Sequence, residues 1–270
     1  MPQHIIRRGA VALAVLVTVS ACGQAATGHP RLHSIAVTES PTPTVTVAPS
    51  PSASQAPTTE PTEPVAGPVV PVEPPCPEGP FQAEVEAALA SIGNYGPITP
   101  DGIQSAQDCE TIIAFQARMG IEPANGTPGP TTMDVATRIA GTDFSQCPYN
   151  DEAQACVDLT RQTFYITQGG MVILGPTVTR TGMPGWATPA GTFRIANKAR
   201  TEWSVPFEVW LPYWQRFYFG DGLHETTTYI HDMWRGSHGC VNLLHDDAVA
   251  AYQLLGVGSI VHLYGRRPNT

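Results

Sequence analysis

The sequence predicts an α+β protein: a small three-helix module over residues 76–146, followed by a mostly β, sandwich-like domain over residues 147–266. Two patterns predict it. Apolar residues recur at helical spacing between Phe81 and Ile139. After Thr163 the pattern changes to short β-branched and aromatic runs separated by glycines, with one helical stretch near the end. Ahead of both lies a segment too rich in proline to form a core.

In the module, Phe81, Val85, Leu89 and Ile92 mark a first helix, with Gln82, Glu84 and Glu86 on its other faces and Gly93-Asn94 ending it. Ile112, Phe115 and Met119 mark a second, with Gly120 placed for a left-handed C-terminal residue. Thr131 and Asp134 have the spacing of a capping box and predict the start of a third helix through Val135, Ala136 and Ile139.

In the β domain, Thr163–Thr167 and Met171–Leu174 flank Gly169-Gly170 and predict a hairpin. Further strands are predicted at Thr177–Thr181, Thr192–Ile195, Phe207–Leu211 and Ser259–Tyr264, and a helix at Asp246–Leu255.

The N-terminal 75 residues predict export. Arg7-Arg8 precede an apolar run, Ala10–Val19, too short to span a bilayer. Val19-Ser20-Ala21-Cys22 resembles a bacterial lipobox, which implies a signal peptide over 1–22 and acylation of Cys22. Residues 23–75 form a linker in which 11 of the 35 residues from Pro41 to Pro75 are proline. Such chain favours extended polyproline II, at about 3.1 Å per residue, and reaches on the order of 100 Å. The chain carries 14 Lys+Arg against 23 Asp+Glu, a net charge of −9. That balance argues against nucleic-acid binding, which needs basic surface. The module carries −7 of this charge and residues 147–270 carry −1, so bulk steering of a charged substrate does not dominate in the β domain.

The chemistry is concentrated in Ser237-His238-Gly239-Cys240-Val241-Asn242, with His224 upstream. A thiolate is the reactive form of cysteine, and a neighbouring imidazolium lowers its pKa. Glycine beside the nucleophile admits a substrate carbonyl to the backbone, where amide N–H groups can hold an oxyanion. Two alternatives stay open. His231 also lies upstream, in a strand-like stretch, as a rival base or a residue bonded to Asp232. His224, His231, His238 and Cys240 are residue types that bind zinc, although their spacing fits no common zinc site.

This hexapeptide resembles the signature of the L,D-transpeptidase (YkuD-type) catalytic domain. Gly222-Leu223-His224 is similar to its upstream element, and Val157-Asp158-Leu159, Thr181-Gly182 and Thr188-Pro189-Ala190-Gly191-Thr192-Phe193 fit its other features. The resemblance implies that Cys240 attacks the third-residue carbonyl of a peptidoglycan stem tetrapeptide and D-alanine leaves. An amine of a neighbouring stem then attacks the thioester, forming a 3→3 cross-link. His224 is implied as the base and His238 as an aid to it. Gly239 and Cys240 are implied as oxyanion donors, and Ser237 and Asn242 as parts of the turn. No metal or organic cofactor is implied, and carbapenems are implied to acylate Cys240. The aromatic run before His224 suggests Tyr213 and Trp214 at the substrate groove, with Arg180 and Arg235 for stem carboxylates. Water as acceptor gives a carboxypeptidase, a protein acceptor gives wall attachment, and a vestigial site gives a wall-binding protein.

The module resembles the three-helix peptidoglycan-binding domain, through Asp101-Gly102, Phe115-Gln116, Met119-Gly120, Gly129 and Thr131-Thr132. Together these imply a monomer held by lipid at the outer face of the plasma membrane, reaching into the wall and contacting its stem peptides and glycan. With Cys22 and Cys240 assigned, Cys76, Cys109, Cys147 and Cys156 remain, and three pairings are open. Cys76–Cys109 and Cys147–Cys156 are favoured because local loops close at least entropic cost.

Overall fold

The computed structural model describes residues 76–270; the signal sequence, Cys22 and the linker lie outside them. Three helices come first: α1 (Gln82–Ile92), α2 (Ala106–Arg118) and α3 (Pro130–Ala140). Gly93 ends α1 at φ +75°, in the left-handed region that glycine enters at little cost. The capping box lies at α2, where Ser105 Oγ accepts from Asp108 N–H and the Asp108 carboxylate accepts from Ser105 N–H. Thr131 and Asp134 do not form one: α3 starts at Gly129, with Pro130 in its first turn, where a missing N–H costs nothing. Gln82 and Glu86 are also not on a solvated face. Both are buried, and Glu86 accepts from Gln82 Nε2 at 2.7 Å and from Gly102 N–H at 2.7 Å, satisfying the loop before α2.

The β domain contains nine strands. Gln154–Asp158 (β1), Thr163–Gln168 (β2), Met171–Val178 (β3), Gly191–Arg194 (β4) and Ile260–Tyr264 (β9) form one sheet, in the order β3-β2-β1-β9-β4. Asn197–Ser204 (β5), Val209–Tyr218 (β6), Asp221–Glu225 (β7) and Val241–Leu243 (β8) form the second, in the order β5-β6-β7-β8. Only β1–β9 and β7–β8 are parallel among these pairs. Helix α4 (His245–Leu254) follows β8 directly. The two strands expected over 171–181 are one, β3, with a register shift near Gly175 and Pro176.

Val157, Phe164 and Ile166 from the first sheet meet Phe217, Leu223, Val241 and Leu243 from the second, with Ala248 and Ala251 of α4, in one core. A second core joins Val85, Leu89, Ile112, Phe115 and Ile139 of the helices to Val178, Ile230 and Leu244 of the β domain. The module is therefore packed on the β domain rather than strung from it. Disulfides join Cys76 to Cys109 and Cys147 to Cys156, with Cα separations of 6.0 and 5.9 Å. Arg267, just past the expected boundary at 266, is buried and donates to the carbonyls of Thr181, Gly182, Met233 and Arg235. The domain extends at least that far.

Candidate active site

The turn carrying Cys240 is stitched to the loop after β3. Ser237 N–H donates to Thr181 O at 3.1 Å, and Met183 N–H donates to Ser237 O at 2.9 Å. Ser237 Oγ donates to Cys240 O at 2.5 Å and accepts from Gly239 N–H at 3.1 Å. Thr188 Oγ1 donates to Gly239 O at 2.8 Å. The carbonyls of Gly239 and Cys240 are thus each engaged by a hydroxyl. Gly239 sits at φ +117°, and a side chain there would run into the Asp221 carboxyl. Its own N–H is occupied by Ser237, so of the two expected oxyanion donors only the Cys240 amide remains for that role.

The register of β7 and β8 relates His224 to the turn that carries Cys240. Leu223 pairs with Val241, and both point into the core. Alternation then puts His224 and Asn242 on the opposite face. Cys240 immediately precedes β8, so the parallel register sets it beside the start of the strand that carries His224. The half-buried thiol lies over the start of β7, with Sγ 3.9 Å from Gly220 O and facing Gly222 N–H. The buried His224 ring sits between strand and aromatic wall, 6.1 Å from the Trp214 ring centroid. Its Nδ1 lies 2.9 Å from Glu225 O and 3.2 Å from Thr226 Oγ1. A carbonyl only accepts, so these bonds assign the proton to Nδ1 and leave Nε2 as the basic nitrogen.

Burial sets the protonation of the pair. It pulls His224 down to about 4 and pushes the Cys240 thiol up to about 12, with the Asp221 charge adding to the latter. Burial thus works against an imidazolium on His224 and a thiolate on Cys240 alike, the two charged forms that the sequence pattern suggested.

The turn opens onto a groove of about 760 Å³, walled by the β5–β6 hairpin and by Trp186, Trp214 and Phe219. His238 faces this groove, stacked on Phe207 at 4.2 Å and edge-on to Trp186 at 4.9 Å. Trp214 lines the groove as expected, but Tyr213 does not. Its ring turns to the other side of β6, against His245 and Tyr252. Arg180 is wholly buried, with its guanidinium on Ile230 O at 2.9 Å, so it is a brace rather than a contact for carboxylates. Arg235 is exposed and pairs with Asp232 at 3.3 Å, away from the groove lining. His231 lies in a turn, not a strand, and its bond is to Gly120 O of the module at 3.1 Å, not to Asp232. Asn242 Nδ2 donates to Tyr229 OH at 2.8 Å, bracing the segment between His224 and Ser237.

Residues 152–263 match the L,D-transpeptidase catalytic domain, YkuD. The crystal structure of an L,D-transpeptidase (Yku) from Stackebrandtia nassauensis is similar to this chain at 50% sequence identity and a TM-score of 0.70, covering 72% of this chain and 96% of that one. The chain belongs to the L,D-transpeptidase family. The covered share exceeds the catalytic domain, so this similarity reaches into the helical module. An L,D-transpeptidase from Mycobacterium smegmatis is similar at 23% identity, covering 42% of this chain and 59% of that one, with a TM-score of 0.40. No curated protein matches.

Two residues that shape this transpeptidase site escaped the sequence reading. Asp221 lies in Gly220-Asp221-Gly222, which reads as an ordinary hairpin turn, and nothing local marks its carboxyl as facing the Cys240 turn. Arg267 sits near the C-terminus, 27 positions from Cys240, and its four backbone acceptors lie on two distant loops.

Proposed function

We propose that this L,D-transpeptidase forms 3→3 peptidoglycan cross-links by way of a thioester on Cys240. The observation that carries the reading is the placement of Cys240 directly before β8, which pairs with the β7 strand carrying His224, together with the His224 tautomer that leaves Nε2 basic. Cys240 Sγ attacks the carbonyl of the third residue of a stem tetrapeptide while its proton passes to His224 Nε2. Starting from a neutral thiol, transfer and attack proceed together. The Cys240 amide receives the developing oxyanion. His224 returns the proton to the departing D-alanine, and the amine of a second stem resolves the thioester. His238, held between Phe207 and Trp186, shapes the donor groove rather than taking the thiol proton.

The lipobox-like Val19-Ser20-Ala21-Cys22 and the proline-rich sequence after it support a protein acylated at Cys22, tethered to the outer face of the plasma membrane and working within the wall. The module, with a cleft of about 220 Å³ lined by Gln116, Asn125, Thr127 and Thr132 among others, supports glycan contact.

The test is a disaccharide-tetrapeptide substrate with mass-spectrometric readout, beside Cys240→Ala. Loss of D-alanine with a dimer product is expected, and none from Cys240→Ala. Loss of D-alanine without dimer identifies a carboxypeptidase or another acceptor. Sedimentation of Cys240→Ala with purified wall tests binding apart from turnover.

A further inference from the structure

We propose that Asp221 forms the acceptor subsite: its carboxylate holds the cationic amine of the incoming stem beside the acylated Cys240 and favours aminolysis over hydrolysis. The inference rests on the transpeptidase reading above. Asp221 opens β7 opposite Tyr218 of β6. Its carboxyl lies against Gly239, the residue before the nucleophile, and lines the groove together with Gly220, His238 and Gly239. It is close enough to the thiol to bear on its ionisation. Among the described residues its carboxylate has no ion-pair partner. The other formally charged groups along the groove are Glu202 of β5 and Arg216 of β6.

A half-buried carboxylate without a partner is costly, and burial raises this one to about 6. A side chain serving only to support Gly239 needs no charge there. An ammonium entering the groove supplies the missing partner, and the low local dielectric strengthens the pairing. Water brings no charge and gains no such advantage. The contact with Gly239 puts a bound amine next to Sγ, where the thioester carbon stands after acylation.

The transfer balances as follows. The acceptor R–NH₃⁺ gives one proton to Asp221 and becomes nucleophilic. Its nitrogen forms the C–N bond as the C–S bond breaks. The second proton passes through His224 Nε2 to the departing sulfur and restores the Cys240 thiol. Asp221 then releases its proton to water.

The experiment compares the wild-type full chain with Asp221→Asn and Asp221→Glu, using the disaccharide-tetrapeptide as donor and acceptor. First-turnover D-alanine release measures acylation, and the ratio of cross-linked dimer to hydrolysed tripeptide measures acceptor choice. In Asp221→Asn the dimer-to-tripeptide ratio is expected to fall at least tenfold more than acylation does, with partial recovery in Asp221→Glu. An unchanged ratio in both variants, or acylation and dimer formation falling by one common factor, overturns the proposal and leaves Asp221 as a brace. A wild-type enzyme that yields tripeptide alone overturns the cross-linking reading as well, so the two failures are distinguishable.

Discussion

Arg118 of α2 and Asp247 of α4 join the helical module to the β domain through two contacts, Nη1–Oδ2 at 3.1 Å and Nη2–Oδ1 at 2.6 Å. The carboxylate is fully buried and also accepts from Thr177 Oγ1 at 2.6 Å. A planar guanidinium matches a carboxylate in this forked geometry, and one partner out of water makes the pair sensitive to deletion. Arg118→Ala leaves Asp247 buried with one neutral donor. It is expected to cost about 3 kcal/mol of stability, read as a lower urea midpoint. A surface-like loss below about 0.5 kcal/mol would show that the two parts are not coupled through this pair.

The Cys240 thiol, pushed up to about 12 mainly by burial and next by Asp221, should alkylate slowly near neutrality. Iodoacetamide modification of Cys240, followed by peptide mapping, is expected to keep rising with pH beyond 9 rather than reach a plateau. Asp221→Asn removes the added negative charge and should speed alkylation severalfold at pH 8. A wild-type plateau near pH 7 would instead reveal a resting thiolate–imidazolium pair.

What the sequence made legible was local. Ser237–Asn242 carries its chemistry in adjacent residues, and the helical repeats of Val85, Leu89, Ile112 and Phe115 carry their own period. Strands β7 and β8, Asp-Gly-Leu-His-Glu and Val-Asn-Leu, are too short and too polar to stand out, although β7 carries His224 and β8 begins one residue after Cys240. β5 is a polar strand stabilised across the hairpin, where Trp203 meets Trp210 at 5.1 Å. An aromatic run does not say which face each ring takes: Tyr213, at φ +55° within β6, turns its ring to His245 and Tyr252 while its neighbour Trp214 lines the groove. Asp221, Asp247 and Arg267 act across the fold, so their partners are set by packing rather than by spacing.

Acid should weaken the fold through His224. Its pKa is about 4 in the folded chain against an ordinary 6.5, so between these values the unfolded chain binds more protons. Its contribution is fully present above about 6.5 and is lost as pH falls toward 4, amounting to about 3 kcal/mol. Burial lowers His231 as well, so the two add in the same direction. Urea midpoints taken from pH 7 to pH 4 should fall, and His224→Gln should flatten part of that slope. The same variant should slow acylation far more than His231→Gln does. The opposite ranking would move the base to His231.

Gly239→Ala tests how tightly the turn is specified. At φ +117° a Cβ is strained whatever space surrounds it, and here the Asp221 carboxyl occupies that space. Gly169 is also left-handed, at φ +56°, but nothing lies within 4 Å of a Cβ built there. Gly169→Ala therefore carries the backbone penalty alone, about 1–2 kcal/mol, in the turn between β2 and β3. Gly239→Ala must either displace Asp221 or rotate the peptide that presents the Cys240 amide, and that rotation disrupts the proposed oxyanion position. Carbapenem acylation of Cys240, followed by intact mass, is expected to slow at least a hundredfold in Gly239→Ala and by less than twofold in Gly169→Ala. Equal rates in the two variants would mean that the turn tolerates a side chain and that the approach of Asp221 to Gly239 does not matter for acylation.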